Sequence, residues 1–298
     1  SKSGGKLFAA DCSPTAPALY DADGSFMVPP FSHQDYIDTI IRLCKENGIN
    51  TVLSVIDPEL SILAENYDRL KAAGIFPLVS GKEAVEICFD KYVLHTFLLE
   101  HGFRSIPSFI SLEEVKEKLD LGELCFPLFL KPRKGSASIG LAKVDNLEQL
   151  RMAFSKEPGM MIQPFMQSQE WGVDVYADFQ SKEVIHVFTK KKILMRSGET
   201  DKAIGVKNKE LMELCKEVVS KLGLVGPIDL DCFETEHGFV VSEINPRFGG
   251  GYPLAYNSGA NFMDLILHNL EGKINVSQVG EFREGVQMFK FVDAVFIG

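Results

Sequence analysis

The chain has 298 residues, 45% of them apolar and 24% charged, the composition of a soluble globular protein of about two domains. A net charge of −10 and a pI near 5.2 exclude the broad basic surface that binds nucleic acid non-specifically or holds a protein on anionic lipid. No run of eighteen apolar residues occurs and the opening SKSGGKLFAAD lacks a signal-peptide pattern, so the expectation is a cytoplasmic protein with no nucleic-acid or membrane partner.

The first ninety residues alternate short apolar runs with amphipathic segments: KLFAAD, QDYIDTIIRLCKENG, NTVLSVI, PELSILAENYDRLKAAG and FPLVS. In the first helical segment Ile37, Ile40, Ile41 and Cys44 share a face, and near-continuously apolar strands are what burial on both faces of a parallel sheet requires. Residues 1–89 are therefore predicted to form a parallel α/β domain. DKYVLHTFLLEHG, residues 90–102, opens a second unit with a helix capped by Asp90 and stopped by Gly102. From residue 127 the strand candidates are PLFLKP, LAKV, MMIQPF, WGVDVYADF, VIHVFTKK, PIDLDCFE and FVVSEIN, with helices near 146–155, 208–222 and 260–271. That pattern predicts an α+β domain of antiparallel strands. Cys12, Cys44, Cys88, Cys125, Cys215 and Cys232 are scattered without a CxxC pair, several of them in apolar runs, and read as reduced core thiols.

Four stretches carry candidate chemistry. In FLKPRKGSASIG (129–140) a strand delivers Lys131 to a loop with Arg133, Lys134, Ser136 and Ser138; small residues let backbone N–H groups approach a polyphosphate, while a solvated basic hairpin is the competing reading. MIQPFMQSQEWGVD (161–174) sets Gln163 and Phe165 on an extended segment suited to an adenine edge, with Glu170 placed for ribose hydroxyls, or it is an ordinary core strand. IDLDCFETEHGFVVSEINPR (228–247) reads as a hairpin turning at TEHG, with Asp229 and Asp231 on one strand and Glu243 and Asn245 on the other. Such oxygen ligands suit a hard cation held jointly with phosphates, and strand alternation places Phe239, Val241, Glu243, Asn245 and Arg247 on one face. None of the six histidines shows the spacing of a zinc site. KKKILMRSGETDK (190–202), with Arg196, Glu199 and Lys202, reads as a charge-dense connection, either a solvated loop or a cover over an anion site.

Taken together, DK (90–91), FLKP with its glycine/serine loop, IQPF followed by Glu170, GETDKA (198–203), DLD (229–231) and EINPRFGGGYP (243–253) resemble, in order, the ATP-grasp superfamily, in particular single-module proteins similar to half of a carbamoyl phosphate synthase large subunit. The resemblance implies an α/β plus α+β chain: a biotin-carboxylase-type N-terminal parallel α/β domain over 1–89, then an ATP-grasp fold over 90–298 with a lid at about 127–164. Such N-terminal domains open with an apolar strand and glycine turn before the strand corresponding to KLFAAD, and a parallel neighbour needs a crossover, so an earlier strand and helix are expected to be missing from this numbering. Carried onto this sequence, Lys91, Lys131 and Arg133 with the loop bearing Ser136 and Ser138 take the ATP phosphates. Gln163, Pro164, Phe165 and Met166 form the adenine hinge, and Glu170 takes the ribose. Asp231, Glu243 and Asn245 hold Mg²⁺ (or Mn²⁺), with Asp229 the less favoured alternative, and Arg247 faces the transferred phosphoryl group. Arg196 and Lys202 are expected to serve the acceptor carboxylate. The implied reaction activates a carboxylate as an acyl phosphate for attack by an amine. The alternatives are a carbamoyl-phosphate-synthase-like subunit phosphorylating bicarbonate or carbamate with a partner chain, and an ATP-binding regulatory module without ligase activity; the partners expected are ATP, a small-molecule carboxylate and an amine, with assembly as a homodimer or with a partner subunit.

Overall fold

The computed structural model describes residues 4–135 and 140–296. The chain divides into two compact units, Ser1–Leu53 with Ile62–Leu78 and Phe291–Gly298, and Ser54–Ser61 with Val79–Lys290.

In the first unit β1 (Phe8–Asp11) pairs in parallel with β2 (Gly24–Met27) across the one-turn helix α1 (Ala18–Asp21). Helix α2 (Tyr36–Asn47) buries Tyr36, Ile37, Ile40 and Cys44 at three- and four-residue spacing, and Gly48 ends it in the left-handed region. β3 (Thr51–Val52) and β4 (Phe76–Pro77) form a second parallel pair. Pairing is parallel as expected, yet in two separate two-stranded pairs rather than one sheet, and β1 is only half-buried. The single helix predicted over PELSILAENYDRLKAAG breaks into α3 (Asp57–Glu65), whose residues up to Ser61 belong to the second unit, and α4 (Tyr67–Ala72). Asn66 lies at the break and donates its side-chain amide to the Ile62 carbonyl, the local competition with helix bonding that asparagine favours.

The second unit contains α5 (Lys82–Phe89), which the sequence reading passed over, and α6 (Lys91–Glu100). Asp90 caps α6 as expected, accepting the N–H groups of Tyr92 and Val93, and Gly102 follows with φ 77°. Next come α7 (Leu112–Asp120) and the strands β5 (Leu128–Pro132), β6 (Ala142–Val144) and β7 (Met160–Pro164), in the antiparallel order β6-β5-β7 with α8 (Leu147–Lys156) beside them. Their core also takes Phe109, Val115 and Leu124 from the preceding segment.

The main sheet holds β8 (Glu170–Ala177), β9 (Val184–Arg196), β10 (Glu199–Gly205), β11 (Gly226–Thr235), β12 (Gly238–Asn245) and β13 (Gln287–Phe289) in the order β12-β11-β8-β9-β10-β13, every pair antiparallel. Helix α9 (Lys209–Leu222) packs on β8 and β9 through Leu211, Cys215, Val218 and Val219, and α10 (Tyr252–Ser258) and α11 (Phe262–Leu270) complete the unit. KKKILMRSGETDK is not a loose connection: it is the hairpin of β9 and β10, turning at Ser197 and Gly198, both with positive φ. Four of the cysteines are buried; Cys12 and Cys125 are exposed, against the expectation of core thiols throughout. Among the described residues no helix is long and apolar enough to cross a membrane.

His186 on β9 is 1% exposed, with Nε2 facing the Glu281 carbonyl at 3.3 Å, Nδ1 without a partner among the described residues and the ring 5.7 Å from that of Phe262. Burial pushes the imidazole down to about 4. The unfolded chain, titrating near 6.5, binds the proton first, so this contribution to stability is complete above about pH 6.5 and is lost as pH falls toward 4. Between pH 7.5 and 4.5, His186→Gln is expected to lose about 2–3 kcal/mol less unfolding free energy than the parent, measured by urea denaturation.

Candidate active site

The site is built on one face of the main sheet. Residues directly opposite one another on paired strands share a face, and the register sets Asp229 against both Asn245 and Asp174, and Asp231 against both Glu243 and Gly172; Gly172 in turn pairs with Lys190. The same face therefore carries Glu170, Asp174, Lys190, Lys192, Asp229, Asp231, Glu243 and Asn245. One expectation fails here. Phe239 and Val241 pair with Glu234 and Cys232, which point to the other face, because the β11–β12 register shifts between Asp231 and Cys232. A bulge adds one residue to β12, and one residue inverts the alternation. Glu243 and Asn245 thus face away from Phe239 and Val241; the polarity change along this strand is also a change of side.

Lysines gather over the carboxylates. Lys91, at the start of α6, donates to the Gly135 carbonyl at 2.6 Å and lies 3.6 Å from Glu243. Lys131, at the end of β5, is 7% exposed; burial lowers its pKa while Glu243, Asp231 and Glu170 pull it back. Lys192 joins Glu170 at 2.8 Å to Asp231 at 2.6 Å, the latter an ion pair without hydrogen-bond geometry. Burial opposes the charge of Lys192, but Asp231, Glu170 and Asp229 together hold the ammonium above its ordinary range. Lys190 and Asp174, almost wholly buried, pair at 2.5 Å. Gly172 makes the space: a Cβ there would lie 2.7 Å from Lys190 Cε and 3.3 Å from Lys192 Cε. Asp229 rises to about 7, through burial first and then Asp231 and Asp174, with Lys190 and Lys192 opposing. Arg247 donates Nη2 to Asp57 at 2.9 Å and lies 3.8 Å from Asp229.

The other expected residues are distributed as follows. Gln163 is buried in β7 and donates to Ser108 Oγ, while Pro164, Phe165 and Met166 are half-buried at its end, with the Phe165 ring 6.0 Å from that of Phe129. Arg133 is engaged by both oxygens of Asp90. Ser136 and Ser138 lie outside the described residues. Arg196 pairs with Asp201 and is half-exposed; Lys202 sits between Leu194 and Phe289 in the sheet register. No hydrogen bond or ion pair among the described residues joins either to Lys91, Lys131, Glu243 or Arg247. Lys190, Lys192, Asp174 and Asp57 had escaped the sequence reading. The signal for the lysines was their period-two alternation within KKK, the same alternation that sets Glu170 and Asp174 on one face of their strand.

The donor set fits a hard divalent cation. Asp231, Glu243 and Asn245 present oxygen ligands from paired strands, and the Asn245 side chain, 8% exposed, takes no hydrogen bond among the described residues. No group of three His, Cys, Asp or Glu residues among those described suffices to hold a metal alone, so the ion would need oxygens from a bound ligand as well.

Residues 1–78 match the model of the PylC-like N-terminal domain, and residues 156–293 the model described as ATP-grasp in the biosynthetic pathway with Ter operon. The biotin carboxylase of Campylobacter jejuni, solved as a complex with a β,γ-ATP compound, superposes with a TM-score of 0.76 at 18% identity, covering 96% of this chain and 70% of that one. The fold is thus the ATP-grasp fold, preceded by a biotin-carboxylase-type N-terminal domain, and residues 156–293 match an ATP-grasp family model. A biotin carboxylase of Halalkalibacterium halodurans is 30% identical over 142 residues (45% of this chain, 30% of the relative). A D-alanine–D-alanine ligase of Bacteroides fragilis is 34% identical over 119 residues (36% and 34%). The chain spans about a third of the length of these two curated relatives.

Proposed function

We propose that the protein is an ATP- and Mg²⁺-dependent ligase that activates a carboxylate as an acyl phosphate and joins it to an amine. The observation that carries this reading is the meeting, on one sheet face, of the buried cations Lys91 and Lys131 with the oxygen set Asp231, Glu243 and Asn245 and with Arg247. A regulatory module that only bound nucleotide would not need so many buried charges. Similarity to a protein named for joining D-alanine to D-alanine supports the same class.

In this reading Lys91 and Lys131 take the phosphates, Gln163 to Met166 the adenine, and Glu170 the ribose, with Arg133, Ser136 and Ser138 completing the phosphate loop. Asp231, Glu243 and Asn245 would hold Mg²⁺ or Mn²⁺, which neutralises charge on the β- and γ-phosphate oxygens when bound. A carboxylate oxygen attacks the γ-phosphorus and the bond to the ADP oxygen breaks. Arg247 faces the transferred group. The amine nitrogen then attacks the acyl carbon, phosphate leaves with its oxygen, and the nitrogen gives up a proton. Arg196, steadied by Asp201, and Lys202 meet the incoming carboxylate, whose approach to phosphate needs a cation between two anions.

The test is a screen of amino acids and bicarbonate for ADP and phosphate release by the purified chain, with the amide product sought by mass spectrometry. Nucleotide binding with no stimulated turnover would reduce the protein to a regulatory module. A second reading, phosphorylation of bicarbonate or carbamate with a partner subunit or as a homodimer, has the biotin carboxylase match in its favour, and stimulation by bicarbonate alone would select it. Within the same assay Arg196→Ala should leave ATP affinity nearly unchanged and lower substrate-stimulated ADP release on the order of a hundredfold. Equal weakening of ATP binding would move Arg196 to the nucleotide.

A further inference from the structure

We propose that Asp57 binds the ammonium group of the amine component, an inference that rests on the ligase reading above. Asp57 begins α3, is 7% exposed, and accepts Arg247 Nη2 at Oδ2, 2.9 Å away. Its other oxygen, Oδ1, is buried with no hydrogen-bond partner among the described residues, and Arg247 Nε in the same pair is also without one. Asp57 lines a cavity shared with Lys91, Gly135, Glu243 and Asn245, of about 10 Å³, room for a group the size of one water and so of one ammonium.

Charge decides what belongs there. Arg247 answers two carboxylates, Asp57 at 2.9 Å and Asp229 at 3.8 Å, while Lys91 is engaged by Glu243 and by the Gly135 carbonyl. A buried carboxylate oxygen without a donor is expensive, and a charged donor satisfies it better than a neutral one. A water would supply hydrogen bonds but no charge. In the reading above a divalent cation already has its protein oxygens in Asp231, Glu243 and Asn245, so Asp57 is left to a different cation. An ammonium brings one charge and three donors. Glu243 and Asn245 line the same cavity, so a nitrogen held at Asp57 waits beside the place where the acyl phosphate would form, and it becomes a nucleophile once the ammonium has passed one proton to solvent.

The experiment is a thermal-melting titration of the full chain with Mg²⁺ and adenylyl imidodiphosphate, using ethanolamine, the twenty L-amino acids and the N-acetyl derivative of each. For the parent, at least one free amine should raise the melting temperature at concentrations tenfold or more below those its N-acetyl derivative requires. In Asp57→Asn that discrimination should shrink to within about twofold. The proposal is overturned if no amine shifts the parent, if free and acetylated forms act alike, or if Asp57→Asn keeps the tenfold discrimination. A change in the Mg²⁺ dependence of the nucleotide-induced shift in Asp57→Asn, with discrimination retained, assigns Asp57 to a cation instead and likewise overturns it. Should Asp57→Asn fail to fold, the free-against-acetylated comparison on the parent still decides. ADP release measured on the same panel separates the two readings: discrimination without turnover sinks the ligase and leaves the amine site, and turnover without discrimination does the reverse.

Discussion

Glu243→Gln is expected to lower Mg-ATP turnover by a factor on the order of 10²–10³ while the melting temperature stays within a few degrees of the parent's. The replacement is isosteric and the side chain is about a quarter exposed, so packing changes little. What changes is charge. Glu243 stands opposite Asp231 across the hairpin and lies 3.6 Å from Lys91, so in the proposed reading it would serve both the metal's oxygen set and a cation that meets phosphate. A neutral amide weakens a hard cation's ligation, and the Mg²⁺ concentration for half-maximal rate should rise with the loss. Asn245→Ala should act in the same direction, since its nearly buried amide has no other partner among the described residues. Parent-like turnover at an unchanged Mg²⁺ requirement in both variants would remove the hairpin from the site.

Much of this arrangement is legible in the sequence because it is local. Asp90 caps α6 two residues before the amides it accepts, and the turn at TEHG follows from Thr235 and Gly238, so the hairpin could be placed from neighbouring residues. What was not legible depends on distant partners. The β12 bulge is a property of the pairing with β11, and no residue of FVVSEIN announces it. The KKK run looks like a solvated patch, yet Lys190 and Lys192 are buried because Gly172, eighteen and twenty residues earlier, leaves room for their stems and because the acids facing them lie on β8 and β11. The three glycines after Arg247 read only as a strand stop. A Cβ on Gly249 would come within 2.3–2.6 Å of the Asp229 carboxyl, and one on Gly251 within 2.9 Å of Lys190 Nζ, so the chain turns there directly over the buried charges. Asp57 has no signature at all, since its partner Arg247 lies 190 residues away.

Lys190→Met should destabilise the protein by about 3–5 kcal/mol, since it leaves Asp174 charged and unpaired in the sheet interior. For a chain of this size that corresponds to a fall in melting temperature of roughly 10 °C. The two side chains are 1% and 2% exposed and pair at 2.5 Å, so solvent cannot take over the role of the missing partner. Methionine keeps the length of the lysine stem, which runs beneath Gly172 and Gly251, so the cost comes from charge rather than from a cavity. The double variant Lys190→Met, Asp174→Leu separates the two contributions. Removing both charges together avoids the unpaired carboxylate, and a well-packed apolar pair often matches a buried ion pair in stability, so the double variant should recover most of the loss. The site should register the change independently of stability. Asp229 lies opposite Asp174, and Lys190 is among the cations that restrain its upward shift, so with the lysine gone the acidic face becomes more negative beside Arg247. If Lys190→Met alone melted within about 2 °C of the parent, the pair would be held in place by the surrounding fold without contributing to its stability, and the double variant should then fall below the single one.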